Sequence, residues 1–124
     1  MYRVVINGTL PNLNDYTDAQ RTNRYKGAQL KRDAQDACAW AIKTQMRGIH
    51  LIKPIYLEYT FYEPNRRRDK DNISGFAHKV IQDALVQMKV IKDDGWDEIV
   101  GFCDNFAVDK KRPRIEVVIK EVEI

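Results

Sequence analysis

Residues 66–85 read RRRDKDNISGFAHKVIQDAL. The stretch changes character partway. Its first seven residues hold four cations, two carboxylates and Asn72. From Ile73 onward, apolar residues recur at three- and four-residue steps: Ile73, Phe76, Ala77, Val80, Ile81, Ala84 and Leu85, continuing to Met88. That period predicts a helix with one buried face. Asp71 or Asn72 is the expected N-cap, because a short side-chain oxygen can accept from an unpaired N–H of the first turn.

Strand signals flank this helix on both sides. Upstream, Pro54 precedes IYLEYTFYE, whose aromatic and β-branched content favours a strand entered after the proline. Downstream, Asp93-Asp94-Gly95-Trp96 is a turn by its Asp-Gly step. EIVGFCDNFAV and PRIEVVIKEV then read as two strands joined by the basic turn DKKR. Nearer the start, Tyr2 to Ile6 is a strand ended by Asn7-Gly8. TLPNLNDYTDAQRTNRYKG, residues 9–27, is polar and without a clear period, and is expected to be a long loop. Leu30, Ala34, Ala37, Cys38, Ala41 and Ile42 mark a further helix to about Arg47, with Gly48 closing it. The expected order is β-α-β-α-β-β. The economical architecture is α+β, a single mixed β-sheet packed with helices in one domain, residues 1–124.

Composition narrows the function classes. The chain has 124 residues, 44% hydrophobic and 31% charged, which is the profile of an ordinary globular domain. The net charge of +3 is a mild excess, so a nucleic-acid partner would require clustered cations. No stretch approaches the ~20 apolar residues that span a bilayer, so no membrane partner is expected. The start lacks a secretory apolar region. Cys38 and Cys103 have no metal-site spacing and are expected to be free buried thiols in a cytoplasmic setting. Trp40 and Trp96 are expected to be packing residues, with a place near a DNA strand the alternative for Trp96 beside the Asp-Asp-Gly turn.

Clustered cations are present. Arg66, Arg67, Arg68 and Lys70 crowd Asp69 and Asp71. Lys110, Lys111 and Arg112, with Arg114, form a second group. Arg21, Arg24, Lys26, Lys31 and Arg32 form a third, of which Lys31 and Arg32 read as solvated helix surface. Phosphates are the natural ligands of such groups. If Asp69 and Asp71 end an extended segment, their side chains point to one side. Close carboxylates repel unless a cation lies between them, and a hard divalent ion suits oxygen donors. Asp93 or Asp94 would complete the set if the helix packs back on the sheet. The plainer reading keeps Asp71 as a cap and Asp93-Asp94 as a turn. Lys79 is either the partner of Asp83 at i,i+4 or a phosphate contact.

RRRDKDN, the apolar helix ending QDAL, and VIKDDGWDEI together resemble the RusA family of Holliday-junction resolvases of bacteria and their phages. LPNLNDY, after the first strand, is similar to that family's Pro- and Asn-containing segment. The resemblance implies a homodimeric, Mg²⁺-dependent endodeoxyribonuclease, with Mn²⁺ able to substitute. Its target would be branched DNA, above all four-way junctions in recombination and repair, in the cytoplasm of a bacterium or phage-infected cell. It implies metal ligands at Asp69, Asp71 and Asp94, with Asp93 the neighbouring alternative, and a catalytic lysine at Lys79. Arg66, Arg67, Arg68, Lys70, Lys110, Lys111 and Arg112 would bind nucleic acid. Lys79 follows Asp71 by eight positions. In an unbroken helix that is about 12 Å along the axis. The lysine would reach the carboxylates only if Gly75 broke the helix start or its side chain folded back. The rivals are a DNA- or RNA-binding module without catalysis, and a small nucleotide phosphohydrolase. The spread of cations beyond the carboxylates disfavours the latter.

Overall fold

The computed structural model describes residues 1–123. The chain runs β1 (Tyr2–Asn7), α1 (Leu13–Thr22), α2 (Arg24–Gln45), β2 (Ile55–Glu63), α3 (Lys70–Gln87), β3 (Ile99–Val108) and β4 (Arg114–Glu121). The four strands form one mixed sheet in the order β1-β4-β2-β3. β4 pairs antiparallel with both β1 and β2, whereas β2 and β3 are parallel. The expected α+β class with a single mixed sheet therefore holds, with one helix more than the sequence suggested.

That additional helix takes up residues 13–22 of the expected loop, and the first turn of α2 takes up 24–27. α1 buries no residue, so it carries no apolar stripe to betray it. Tyr16 packs on Phe76 at 5.3 Å between ring centroids, and the ends are capped. Asn12 Oδ1 accepts from the N–H of Asp15 at 2.8 Å, and the Asp15 carboxylate accepts from the N–H of Asn12 at 3.0 Å. This reciprocal capping box satisfies two N–H groups that a helix start leaves unpaired. Asn23 ends α1 and caps α2, its Oδ1 accepting from Lys26 N–H at 2.9 Å, so no loop separates the two helices. Gly75 lets α1 lie close on α3, because a Cβ there would stand 2.6 Å from Leu13 Cδ1.

The core lies between the helices and one face of the sheet. Alternation along β2 sends Ile55, Leu57, Tyr59 and Phe61 inward, each fully buried. Ile73, Phe76, Ala77, Val80, Ile81, Ala84 and Leu85 of α3 meet them, as the apolar period predicted, and Met88 is partly buried against the same cluster. Cys38 is fully buried and burial pushes its thiol up to about 12, whereas Cys103 is only half-buried; both are free. The tryptophans are not packing residues, since Trp40 is 66% and Trp96 94% exposed. No helix is long and apolar enough to cross a membrane.

The two outer strands differ. Gln45, the last residue of α2, reaches the outer edge of β1. Its Oε1 accepts from Val5 N–H and its Nε2 donates to Val5 C=O, both at 2.7 Å. The side-chain amide thus stands in for a neighbouring strand. β3 has no such cover among the described residues.

Candidate active site

α3 begins two to three residues earlier than expected, at Lys70, with Asp69 as its N-cap. Asp69 is extended (φ −72°, ψ 143°) but its side chain makes no capping hydrogen bond. Asp71 lies in the first turn, where its Oδ1 accepts from Asn72 N–H at 2.9 Å. The alternation expected to align the two carboxylates is absent, because only Asp69 is extended. Both are nonetheless exposed. The partial positive charge of a helix start favours carboxylates there. Asp69 keeps both oxygens free of protein partners among the described residues, and Asp71 keeps one lone-pair-bearing oxygen.

The surrounding cations divide into two kinds. Arg66, Arg67 and Lys70 are exposed and make no ion pair among the described residues. Lys70 Nζ stands 5.7 Å from the Phe106 ring centroid, which ties the helix start to the end of β3. Between them lies a hollow lined by Asn65, Arg66, Lys70, Phe106 and Val108. Arg68 is different. Its Nε and Nη2 donate to both oxygens of buried Glu63, at 2.8 and 3.0 Å, and its Nη1 donates to Leu10 C=O at 2.7 Å. The structure therefore gives Arg68 an anchoring role, unlike the phosphate contact expected. It fixes the loop that carries Asp69 to β2 and to the segment before α1.

The second basic group splits the same way. Lys110, Lys111 and Arg112 project from the β3–β4 turn and are exposed. Arg114 packs on the Tyr62 ring at 3.8 Å and pairs with Asp109 (2.8 Å) and Glu116 (2.7 Å). Arg114 and the Arg112 N–H beside Asp109 hold that carboxyl below the usual carboxylate range.

Two expectations about geometry are corrected. α3 runs unbroken through Gly75. Lys79 faces away from the carboxylate pair, donating to Asp83 at 3.3 Å, and Lys31 of α2 meets the same carboxylate at 3.6 Å. Lys79 is thus a solvent-edge link between α3 and α2 and does not reach Asp71. Asp94 does not join the pair within one chain either. It lies by a hollow with Gln82, Trp96, Gly101 and Phe102. Gln82 is about 20 Å along the helix from Asp69. Among the described residues, no group of three His, Cys, Asp or Glu side chains is placed to hold a metal ion.

One contact had no signal in the sequence. His78 Nε2 lies 2.7 Å from Asp104 Oδ1, and its ring packs against Tyr59 and Phe102 at 4.7 and 4.6 Å. The pair joins residues 26 apart in sequence and clamps α3 to β3.

Two exposed carboxylates stand among unpaired cations at one end of a two-layer α+β domain, a set of charges suited to meeting a phosphate backbone. Residues 9–120 match the family described as Endodeoxyribonuclease RusA, and the chain belongs to that family. Members are endodeoxyribonucleases that resolve Holliday junctions. No curated protein matches the chain.

Proposed function

We propose that this chain is a Mg²⁺-dependent, structure-selective endonuclease that resolves four-way DNA junctions by paired nicks, acting as a homodimer in the cytoplasm. The observation that carries the reading is the pair Asp69 and Asp71, exposed at the head of α3 and bordered by Arg66, Arg67 and Lys70 without ion-pair partners among the described residues. All donors in the pair are oxygens. Mg²⁺ is commonly held by one or two carboxylates with the remaining positions left to water and phosphate, so the pair fits it. Bound there, the ion would stabilise charge on the phosphoryl oxygens and acidify a water molecule.

The chain's own groups have separable tasks in this reading. Asp69 and Asp71 hold the ion. Lys70, between them in sequence, replaces Lys79 as the cation available for developing negative charge. Arg66, Arg67, Lys110, Lys111 and Arg112 position the backbone, a task that carries no base information. Asp94 contributes from a second copy, since its own chain holds it too far from the pair. A C₂ dimer then has two complete sites, which suits a junction cut twice.

The missing third carboxylate within one chain is also what a non-catalytic DNA- or RNA-binding module would show. A labelled four-way junction and plain duplex, each with and without Mg²⁺, separate the readings. The nuclease reading expects cleavage of the junction in Mg²⁺ and little of the duplex. Asp71→Asn should abolish nicking while junction binding survives. Full cleavage by that variant would overturn the metal-ligand role. A retarded band with no product from the wild-type chain would favour the binder.

A further inference from the structure

The geometry points to a docking site for another protein at the end of α2, one that takes an acidic peptide segment presenting a single aromatic side chain. The site stands apart from the carboxylate pair and serves recruitment, not cutting.

A hollow of about 160 Å³ opens where α2 and α3 end together. Its floor is Ile42, Met46, Met88 and Val90. An apolar cavity of about 150 Å³ accepts a benzene-sized ring, so there is room for one aromatic side chain. Two methionines let such a floor adjust to the ring. Lys43 and Arg47 form its rim. Both are exposed, and neither makes an ion pair among the described residues. Lys89, between two floor residues, is exposed as well. Its φ of 60° is the one positive value at a non-glycine position among the described residues. Glycine or asparagine is usual in that conformation just past a helix end. The lysine is held there at a conformational cost and adds a third cation beside the floor.

Trp40 lies on the same stripe of α2, one turn before Lys43 and Thr44. It is 66% exposed, and Lys43 Nζ stands 6.0 Å from its ring centroid. A second hollow, lined by Trp40, Lys43, Thr44 and Arg47, shares both rim cations with the first. Cations at a helix C-terminus have a plain use, because they meet the negative end of its dipole. That use explains Lys43 and Arg47. It explains neither the open apolar hollow nor the large exposed ring beside them.

The cations ask for carboxylates or phosphates, and the hollow decides between them. A nucleobase carries N–H and C=O groups on its edge. Buried against Ile42, Met46, Met88 and Val90, those groups would find no partners. A phenyl ring brings none. Carboxylates flanking an aromatic residue therefore fit the rim and the floor together. Met88 is about 27 Å along the helix axis from Lys70, so such a segment does not compete with DNA at the head of α3.

The test uses the full chain and the labelled peptide fluorescein-Gly-Asp-Asp-Phe-Asp-Asp, read by fluorescence anisotropy. Two control peptides replace Phe by Ala, or every Asp by Asn, and a labelled oligothymidine represents nucleic acid. Saturable binding of the first peptide is expected, weakened by about tenfold or more in each control and in Lys43→Glu with Arg47→Glu. That double variant should keep the wild-type far-UV spectrum and the wild-type junction cleavage. A second readout needs no change at the site. Trp40 is the sole tryptophan in a Trp96→Phe chain, and the peptide should shift its emission. No saturable peptide binding up to about 1 mM overturns the site. So does binding that the double variant retains, or that leaves the Trp40 emission unmoved. Oligothymidine binding that the double variant loses, in place of peptide binding, assigns the face to nucleic acid and also overturns it. Failure of the nuclease reading is distinct: a wild-type chain that binds the peptide and cuts no junction keeps this site and sinks that reading.

Discussion

The two edges of the sheet carry opposite solutions to one problem. At β1, a glutamine amide at the end of α2 satisfies both backbone groups of Val5. At β3, ten residues lie open, and the carboxylate pair and Asp94 fall toward the two ends of that open strand. The closed edge serves stability. The open edge gathers the groups that the proposed reaction needs. The same division separates side chains of one type: Arg68 and Arg114 are committed to internal carboxylates, whereas Arg66, Arg67 and Arg112 are free to meet a phosphate.

Substitutions can break this division, and the largest effect should come from Arg68. Arg68→Ala leaves buried Glu63 without its two donors, a loss of about 3 kcal/mol by the usual cost of stranding a buried charge. That lowers the melting temperature by about 10 °C for a domain of this size. Arg66→Ala should leave the melting temperature in place and weaken junction binding with a shallower salt dependence. A thermal melt and a binding titration at two salt concentrations check both, and equal melting losses would contradict the division. A smaller effect is expected at the closed edge. Gln45→Ala removes two hydrogen bonds from Val5 and should cost about 1 kcal/mol in denaturant unfolding, with more self-association as β1 opens. The smallest belongs to Lys79. Lys79→Ala breaks an exposed i,i+4 contact and should cost about 0.3 kcal/mol with cleavage nearly unchanged. A large loss of cleavage in that variant would restore the catalytic role the sequence suggested.

Much of the fold was legible from periodicity. The buried set of α3 was read residue by residue, and all four strands announced themselves by β-branched and aromatic runs. α1 escaped because none of its residues is fully buried and only Tyr16 packs on the core cluster; its signal was chemical, an Asn12–Asp15 capping box and the Asn23 cap, in a segment that otherwise looked like a loop. The carboxylate pair and its cations were legible because they are contiguous. What their neighbours do was not. Whether Arg68 meets a phosphate or Glu63 depends on β2 lying alongside it. Whether Asp94 meets Asp71 depends on the length of α3, which an apolar stripe gives, and on where the chain returns, which it does not. His78 and Asp104 are joined only by the packing of α3 on β3.

In the proposed mechanism each cutting site takes Asp69 and Asp71 from one copy and Asp94 from the other. Mixing Asp71→Asn chains with Asp94→Asn chains tests it most directly. Each variant alone should be inert. After subunit exchange, half the sites of every mixed dimer are doubly impaired and the other half are intact. The mixture should nick one strand of a four-way junction in Mg²⁺ without the paired second cut. A mixture as inert as its components, with mixed dimers demonstrated by mass, would contradict it.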